Sequence, residues 1–502
     1  MSPLPILNFS ESRKLDQDTI QSGLVSGFEL MRRAGQAMAE KIAEICARKH
    51  FSKEILILAG KGNNAGDSFM VAKALLALGF FPNVFLTYPK ECLKGDALLH
   101  FKKMEEAGVL FSESGTGTKI WNFLKTFSGD VVVDGLLGTG FNARSKSVEI
   151  SEIIEALNAS HFWVFALDIP SGMGERGETF CVHADITLTV GAFKQTFLKR
   201  ENVNLCGRII PMDIGFPESS KSLNSDARVF VQDDLKKHFK RRPRSAHKGN
   251  YGHVLLVGGA YGFSGALVLA GLGALRSGCG LLTLASETKT RNILHASLSE
   301  AMTLDLSKLN LKEMEKFDAV GIGPGLGTSA RAAQFLSAIV KTGSQPLVLD
   351  ADVLNLLAMQ KIFLKKSERL LVLTPHPGEA ARLLECTVSE VESDRFSAAR
   401  TLQKKQNAWI VLKGAHTVVC GPEGILLHLS GTPAMASGGM GDVLTGMITS
   451  FLAQGFSPWD ACNVAVALQG LAAEELEWEI GPFGILASEV AKQVPCVMKT
   501  FI

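Results

Sequence analysis

The sequence predicts two domains of the α/β class, each built on a mainly parallel sheet. The chain has 502 residues, of which 46% are hydrophobic, and this length is sufficient for more than one core. Both halves repeat short apolar runs followed by glycines and then by a helical pattern, as parallel strands with crossover helices do. The cationic stretch Asp233–Asn250 lies between the two series of strands. We therefore assign residues 1–224 to the first domain and residues 225–502 to the second.

Three strands, each with its following loop, are predicted in the first half. They are EILILAG, Glu54–Gly60; DVVVDGLLGTG, Asp130–Gly140; and FWVFALDIPSG, Phe162–Gly172. Ligands of open α/β sheets bind beyond the carboxyl ends of the strands, and these loops lie there. The stretch KGNNAGDSF, Lys61–Phe69, follows the first strand and is therefore expected at a binding edge.

The second half repeats the arrangement, and each predicted strand again ends in glycine, proline or a polar cluster. The strands are HVLLVGGA, His253–Ala260; AVGIGPGLG, Ala319–Gly327; PLVLDAD, Pro346–Asp352; LLVLTPHPGE, Leu370–Glu379; and WIVLKGAHT, Trp409–Thr417.

A single acidic residue follows a glycine-rich stretch near the C-terminus. In SGGMGDVLTG, Ser437–Gly446, Asp442 lies between flexible backbone and the predicted start of a helix. Gly438, Gly439 and Gly441 permit backbone amides to approach a phosphate closely, and a helix start attracts anions. We interpret Asp442 as a general base at an anion site. Since KGNNAGDSF is a second such stretch, two active sites are expected.

Composition excludes several classes of partner. The 52 basic and 50 acidic residues nearly balance, so no general attraction to nucleic acid or to an anionic membrane is expected. The nine cysteines stand singly, without a C-x-x-C pair, which argues against a zinc site and fits a reducing cytoplasm. The N-terminus lacks a signal-like pattern, and the apolar stretch Gly265–Leu275 is too short to span a bilayer. A soluble, cytoplasmic protein is expected.

Longer motifs carry a family resemblance. The second half contains HKGNYGHVLLVGGAYGFSGALVLAGLGALRSGCG, TPHPGEAARLL and ASGGMGDVLTGMITSFLAQGFSPWDA, and it resembles the ADP- or ATP-dependent NAD(P)H-hydrate dehydratases. The first half contains LMRRAGQAMA, KGNNAGD, VVDGLLGTGFNAR, ALDIPSGM and CGRIIPMDIGFP, and it resembles the NAD(P)H-hydrate epimerases. The resemblance extends from about Leu15 to about Val494. It implies an N-terminal Rossmann-like, doubly wound α/β domain and a C-terminal ribokinase-like α/β domain.

The resemblance also implies an activity. Members of the bifunctional NAD(P)H-hydrate repair family interconvert (R)- and (S)-NAD(P)HX, the forms of NAD(P)H hydrated at ring carbon C6. They then dehydrate the (S) epimer with ADP or ATP, by phosphorylating the C6 hydroxyl and eliminating phosphate. The implied substrates are therefore NAD(P)HX and an adenine nucleotide, with ADP weakly favoured, and the implied assembly is a homo-oligomer.

The implied dehydratase site has two groups of residues and a metal. The nucleotide would be bound by Lys413, Gly414, Ala415, His416, Thr417 and Gly441, and the hydrated cofactor by Ala266, Gly325, His376 and Asp442. The stretch LDAD offers Asp350 and Asp352, either of which would hold Mg²⁺ accompanying the nucleotide through water. Val353 stands where similar enzymes often have glycine, and Thr432 and Ala434 depart from their Asn-Pro-Gly form.

The implied epimerase site contains a cofactor loop, a catalytic acid and a potassium ion. The cofactor would be lined by Asn63, Asn64, Ala65, Gly66, Asp67, Gly138, Thr139, Gly140, Phe141, Asn142, Ala143, Arg144 and Asp168, the last of these being catalytic. Asn64, Asp134 and Ser171 match positions that bind K⁺, and their oxygens suit a hard cation. Ala65 and Ser68 depart from the common NNGGDG form. If position 65 required a positive φ, alanine would cost about 1 kcal/mol.

Simpler interpretations remain open at this point. Ala266 and Gly325 would serve as packing or turn positions, Asp134 and Asp168 as turn acids, and Lys413 as a solvated strand end. The second domain would also suit a kinase of a vitamin alcohol, which leaves phosphate on its product. The first would suit a non-catalytic nucleotide-binding or scaffold module. The stretch Asp233–Asn250 is interpreted as a solvated linker.

Overall fold

The computed structural model describes residues 4–113, 117–140, 148–175, 180–216, 226–309, 311–360, 364 and 369–502. Phe141, Asn142, Ala143 and Arg144, which were predicted to line the epimerase cofactor, lie outside the described residues. The chain divides into two compact units, Leu4–Ser225 and Asp226–Ile502. In the part that the structure describes, no helix is long and apolar enough to cross a membrane.

The first unit has a seven-stranded sheet whose strands pair in parallel throughout. Its strands are β2 Glu54–Ala59, β3 Phe81–Leu86, β4 Leu110–Glu113, β5 Val131–Gly135, β6 Trp163–Leu167, β7 Ile186–Val190 and β9 Arg208–Met212. The order β4–β3–β2–β5–β6–β7–β9 reverses its direction of growth between β2 and β5. That reversal is the point where open α/β sheets form their binding crevice. A separate strand, β1 Leu4–Leu7, pairs in parallel with β8 Phe193–Lys194.

Helices cover this sheet and bury its apolar strands. They are α1 Phe9–Gln21, α2 Gly27–Lys49, α3 Asn63–Ala77, α4 Gly95–Glu106, α5 Gly117–Thr126, α6 Val148–Asn158 and α7 Arg200–Val203. Ile150, Ile153 and Ile154 share one face of α6 and join a buried cluster with Leu56 and Val132 of the sheet. The spacing of these isoleucines is that of a helix face turned to a core.

The second unit has a longer, mixed sheet. Its strands are β10 Ala227–Val229, β11 His253–Val257, β12 Leu281–Ser286, β13 Met302–Asp305, β14 Ala319–Ile322, β15 Leu347–Leu349, β16 Leu371–Leu373, β17 Trp409–Leu412, β18 Val418–Gly421 and β19 Gly424–Leu427. From β13 to β17, in the order β13–β12–β11–β14–β15–β16–β17, every pair is parallel. Strand β18 is antiparallel to both its neighbours. Each strand predicted from the sequence is therefore present.

The helices of the second unit include a tightly packed pair. The helices are α8 Ser264–Arg276, α9 Arg291–Ser297, α10 Ala330–Lys341, α11 Asp352–Met359, α12 Pro377–Leu384, α13 Val388–Ser393, α14 Arg395–Gln406, α15 Met440–Ala453, α16 Pro458–Ile480 and α17 Ala487–Lys499. A Cβ atom added at Gly273 of α8 would lie 2.3 Å from the Val443 carbonyl of α15, and one at Gly446 would lie 1.8 Å from the Ala270 carbonyl. These glycines let the two backbones touch, which fixes the position of α15 and of its first turn.

The cationic stretch between the halves folds with the second unit. Within it, Leu235 is fully buried. The Arg242 guanidinium lies 3.5 Å from the centroid of the Tyr251 ring and donates a 2.6 Å hydrogen bond to the Gly278 carbonyl. The prediction of a solvated linker thus holds for the basic side chains, because Lys236, Lys237, Lys240, Arg241, Arg242, Arg244 and Lys248 are exposed, but not for Asp234 and Leu235, which are buried on the second unit.

Candidate active sites

Asp442 lies in the first turn of α15, as the glycine-rich motif predicted. Gly439 caps the helix with a φ of 93°, a conformation that favours glycine, and Asp442 is the third helical residue. Burial raises the pKa of Asp442 to about 7, with the charge of Asp350 adding to the effect and that of Lys413 opposing it. A carboxyl group that titrates near neutral pH is well matched to general base catalysis.

Lys413 follows β17 and places a cation beside this turn. Its Nζ donates to Asp350 Oδ1 at 2.8 Å and lies 4.0 Å from Glu379 Oε2. A Cβ atom added at Gly441 would lie 3.1 Å from the same Nζ, so the ammonium lies close to the backbone before Asp442. Burial lowers the pKa of Lys413, but the carboxylates of Asp350 and Glu379 outweigh it and leave the pKa raised. This is a fixed cation and not a solvated strand end.

Asp350 and Asp352 differ in how their oxygens are used. Asp350 is 1% exposed and accepts from Lys413 with Oδ1 and from Thr445 Oγ1, at 2.7 Å, with Oδ2. Asp352 accepts at Oδ2 from the Gly327 amide at 2.8 Å. Among the described residues, no group of three or more His, Cys, Asp or Glu side chains is arranged to hold a metal.

The turn after β15 is built without the glycine that similar enzymes have at position 353. Val353 is fully buried within α11, and the positive φ of this turn, 51°, falls on Ala351. With a ψ of −116°, Ala351 lies outside the left-handed helical region, and such a sparsely populated conformation costs about 1 to 3 kcal/mol.

His376 precedes α12 and is held as its N-cap. Its Nδ1 accepts a hydrogen bond from the Gly378 amide at 3.0 Å, and its own amide donates to Glu379 Oε2 at 2.8 Å. Burial, followed by the charges of Lys413 and Arg382, lowers the pKa of His376. A neutral imidazole that accepts at Nδ1 carries its proton on Nε2. This Nε2 lies 3.5 Å from Glu379 Oε1, and 50% of the His376 side chain is exposed.

Ala266 and Gly325 lie next to one another. A Cβ atom added at Gly325 would lie 3.3 Å from Ala266 Cβ and 2.6 Å from the Phe263 carbonyl. Gly325 also has a φ of 60°. Close packing therefore explains the glycine by itself, and contact with a ligand is a separate proposal.

Arg395 was missed by the sequence analysis and braces the predicted nucleotide loop. Its guanidinium donates to the carbonyl oxygens of Ala415 at 2.9 Å, Leu412 at 3.0 Å and Lys413 at 3.1 Å. It also lies 2.6 Å from the position of a Cβ atom added at Gly414. Nothing local in the sequence marks Arg395, since its partners lie 17 to 20 residues away.

His416 and Thr417, which belong to the same loop, are held by their surroundings. His416 has a φ of 56°, and burial together with the charge of Arg395 lowers its pKa to about 4. Thr417 donates from Oγ1 to the Gly414 carbonyl at 3.3 Å, which closes the loop on itself. His416 is thus neutral at physiological pH.

In the first unit, Asn64, Asp134 and Ser171 converge as predicted. Ser171 donates to Asp134 from Oγ at 2.5 Å and from its amide at 2.8 Å. Leu137 bridges the group, because its carbonyl accepts from Asn64 Nδ2 at 3.0 Å and its amide donates to Ser171 Oγ at 2.8 Å. Burial raises the pKa of Asp134 to about 6 against the hydrogen bonds from Ser171 and Leu136. Asn64 Oδ1 is buried and has no hydrogen-bond partner in the described ranges.

The NNAGDS motif begins helix α3, and the helix explains its two departures. Ala65 is fully buried inside α3 and is not among the residues with positive φ, so the strain considered for it does not arise. Ser68 Oγ donates to the Asn64 carbonyl at 2.8 Å and lies 1.8 Å from where a Cβ at Gly135 would stand. Ser68 thus fills the space that Gly135 leaves.

The remaining glycines of this predicted site lie close to other elements. A Cβ atom at Gly66 would lie 2.3 Å from Met31 Sδ of α2, and one at Gly138 would lie 3.4 Å from Asn64 Cβ. Thr139 and Gly140 form the turn that follows, and Asn63 is exposed at the start of α3.

Asp168 follows β6 and is held by a lysine that the sequence analysis missed. Its φ is 64°, and its Oδ1 forms an ion pair with Lys194, whose side chain is 1% exposed. Burial, followed by the charges of Asp168 and Asp16, raises the pKa of Asp67 well above its usual range, while Lys194 opposes them. A perturbed carboxyl group such as that of Asp67 is common at functional sites.

The fold is that of a protein with two α/β units, each of which brings predicted site residues together near the carboxyl ends of its strands. Residues 254–496 match the family described as NAD(P)H-hydrate dehydratase, and residues 27–196 match the YjeF-related protein N-terminus. The chain is 35% identical to the bifunctional NAD(P)H-hydrate repair enzyme of Coxiella burnetii, over 95% of this chain and 96% of that one. It is 32% identical to that of Moorella thermoacetica, over 98% and 96%. The chain belongs to the family of bifunctional NAD(P)H-hydrate repair enzymes.

Solved structures resemble the second unit. An ADP/ATP-dependent NAD(P)H-hydrate dehydratase from Bacillus subtilis, crystallised with ATP and Mg²⁺, is 33% identical with a TM-score of 0.50, over 55% of this chain and 99% of that one. A ribokinase-like superfamily protein from Enterococcus faecalis is 29% identical with a TM-score of 0.51, over 56% and 98%. The ribokinase-like fold expected for the second domain is thus confirmed.

Proposed function

We propose that this chain repairs hydrated nicotinamide cofactors, with residues 1–224 interconverting the two NAD(P)HX epimers and residues 225–502 dehydrating the (S) epimer with ADP. The observation that carries the dehydratase assignment is the position of Asp442 in the first turn of α15, beside the Lys413 ammonium and with a pKa of about 7. A base and a cation are thereby held next to a helix start, where phosphate groups bind.

Dehydration requires the C6 hydroxyl to become a good leaving group. Asp442 removes the hydroxyl proton as the oxygen attacks the terminal phosphoryl group of the nucleotide. Lys413 and the backbone amides around Gly441 compensate the charge on the transferring group, since phosphoryl transfer depends on positioning and electrostatics. The C6–O bond then breaks with loss of phosphate, a proton leaves C5, and the C5–C6 double bond of the dihydronicotinamide is restored. His376 donates from Nε2 to an acceptor on the hydrated cofactor.

The nucleotide would bind at the loop Lys413–Thr417, which Arg395 holds in place through three carbonyl oxygens.

Mg²⁺ bound with the nucleotide would compensate the charge of its phosphates. Asp352 is the better candidate to hold that ion through water, because both oxygens of Asp350 already accept hydrogen bonds from Lys413 and Thr445. Crystallisation of the Bacillus subtilis relative with ATP and Mg²⁺ supports this combination.

The epimerase domain would bind K⁺ at Asn64, Asp134 and Ser171. A buried amide oxygen without a hydrogen-bond donor, Asn64 Oδ1, is the observation that supports the ion, since hard cations prefer oxygen ligands. Asp134 supplies a fully buried carboxylate next to Ser171. A cation there would compensate that charge and hold the loops after β2, β5 and β6 together.

Epimerisation at C6 follows from the chemistry of that carbon, which carries both the hydroxyl group and the ring nitrogen N1. Asp168 takes the hydroxyl proton, the C6–N1 bond breaks as a carbonyl forms at C6, and Asp67 supplies a proton to N1. After rotation of the opened chain, N1 attacks the other face of the carbonyl, and the protons return. Burial of Asp67 favours its protonated form, which suits it to the acid role.

Incubation of the purified protein with both NADHX epimers, Mg²⁺ and either nucleotide tests this proposal. We expect the absorbance of the dihydronicotinamide to return completely with ADP, with one free phosphate released for each cofactor repaired. A phosphorylated product without free phosphate would instead identify a kinase. Consumption of only half of an equal mixture, without conversion of the remaining epimer, would mean that the first domain is not an epimerase. The homo-oligomeric assembly and the cytoplasmic location stay predictions.

A further inference from the structure

Lys194 is buried beside Asp168, and its ammonium group donates all three of its protons to protein atoms. Its Nζ forms the ion pair with Asp168 Oδ1 and donates to Thr189 Oγ1 at 3.0 Å and to the Val190 carbonyl at 2.8 Å. An ammonium group has three protons, so no proton remains for a ligand. With 1% of its side chain exposed, Lys194 is a fixed positive charge and not a surface lysine.

Asp168 is held by only one of its two oxygens. Oδ1 accepts from Lys194 and, at 3.3 Å, from the Val190 amide. Within the described residues Oδ2 accepts no hydrogen bond, and 19% of the side chain is exposed. The left-handed φ of 64° turns this side chain away from the course of an ordinary strand end, a strain that proteins retain mainly where function requires it.

The surroundings of Asp168 are rich in carboxyl groups. Asp67 on α3 and Asp16 on α1 both interact electrostatically with Asp168, and Lys194 on β8 is the cation that acts on both of them. Several carboxylates sharing a partly buried site disfavour one another's ionisation. Lys194 places a buried positive charge among these carboxyl groups.

We propose that Lys194 is a positioning residue for epimerisation, which fixes Oδ1 of Asp168 and compensates its charge so that an ionised Oδ2 faces the hydrated ring. This inference rests on the proposed role of Asp168 as the base. Lys194 touches neither the substrate nor the reacting atoms, and it acts entirely through the carboxylate.

The test compares Lys194→Met with Thr189→Val, which removes one acceptor of the same ammonium but leaves the ion pair. Epimerisation of pure (R)-NADHX is followed by chromatography without nucleotide, between pH 5.5 and pH 9. An adjacent cation commonly favours an ionised carboxylate by one pH unit or more. Lys194→Met should therefore shift the fall of kcat/KM on the acid side to a pH about one unit higher. At low pH its kcat/KM should be about tenfold below that of the unaltered protein, and this difference should narrow at high pH. Thr189→Val should leave the limb in place.

Two further measurements separate the possible failures. Lys194→Arg keeps the charge, so its acid limb should not move. A shift of about one pH unit in Lys194→Arg would overturn the inference, and this result does not depend on whether the methionine variant folds. An unmoved limb in a folded Lys194→Met would also overturn it. Asp168→Asn tests the proposed function itself, because normal epimerisation by this variant would refute the assignment of Asp168 as the base. If Asp168→Asn loses epimerisation while Lys194→Met keeps a normal rate and pH profile, only the role of Lys194 is refuted. Dehydration of (S)-NADHX by the same variants reports the integrity of the second unit.

Discussion

Replacing Asp442 with asparagine removes the proposed base and little else. The side chain keeps its size and its place in the first turn of α15, and Lys413 remains paired with Asp350 at 2.8 Å, so nucleotide binding should persist. A positioned general base contributes about 10² to 10⁴ in rate, which corresponds to about 3 to 5 kcal/mol of activation free energy. We expect dehydration of (S)-NADHX to fall by about a hundredfold or more at pH 8.

The pH dependence of dehydration by the unaltered protein tests the role of Asp442 in a second way. Burial raises the pKa of Asp442 to about 7, and the base must be deprotonated to act. The ionised fraction then rises from about a tenth at pH 6 to about nine-tenths at pH 8, so the rate of dehydration should rise about tenfold across this range. Activity is lost as the pH falls through 7. The residual dehydration rate of Asp442→Asn should not show this rise with pH.

The assay follows the dihydronicotinamide absorbance with pure (S)-NADHX, ADP and Mg²⁺. Asp460 provides a matched control, because it is the third residue of α16 just as Asp442 is the third residue of α15, and its Oδ2 accepts from Ser457 at 2.8 Å. Asp460→Asn should dehydrate normally, and both variants should epimerise normally. A rate for Asp442→Asn within threefold of the unaltered protein would refute the reasoning.

Three further predictions concern the ion, the nucleotide loop and the division of the chain. Replacing K⁺ by a bulky organic cation, or Asp134→Ala, should slow epimerisation at least tenfold while dehydration continues; equal rates without K⁺ would exclude the ion. Arg395→Met removes three hydrogen bonds to the loop, so KM for ADP should rise about tenfold or more, and an unchanged KM would contradict its bracing role. Fragments 1–224 and 225–502 should fold separately, and the second alone should leave (R)-NADHX unconsumed; consumption of both epimers at equal rates would contradict this.

The strands and the site edges were predictable from the sequence because their signals are local. A short apolar run that ends in glycine marks a buried parallel strand, and the carboxyl ends of such strands share one edge of the sheet. Asn64 and Ser171 follow two such strands and Asp134 lies at the end of a third, and hydrogen bonds through Leu137 and Ser171 join them. Asp442 was predictable for a similar reason, since glycines before an apolar helix indicate a close backbone approach.

The residues that hold these sites were not predictable, because their contacts join distant parts of the chain. Lys194 contacts Asp168 across 26 residues, and Arg395 contacts the nucleotide loop across 17 to 20 residues. Neither belongs to a local motif with a known physical role. The cationic stretch Asp233–Asn250 was predicted in part, since its charge pattern indicates the solvation of its basic side chains but does not reveal that Leu235 is buried.

Each of the two predicted sites contains an ion pair between a lysine and an aspartate, but the aspartate has a different role in each. In each, a lysine at the end of a strand pairs with an aspartate after another strand, Lys413 with Asp350 and Lys194 with Asp168. Asp350 has both oxygens occupied and 1% exposure, so it fixes the lysine and leaves Asp442 as a separate carboxyl group that titrates near pH 7. Within the described residues Asp168 keeps one oxygen without a hydrogen bond, so there the paired carboxylate itself is the proposed base.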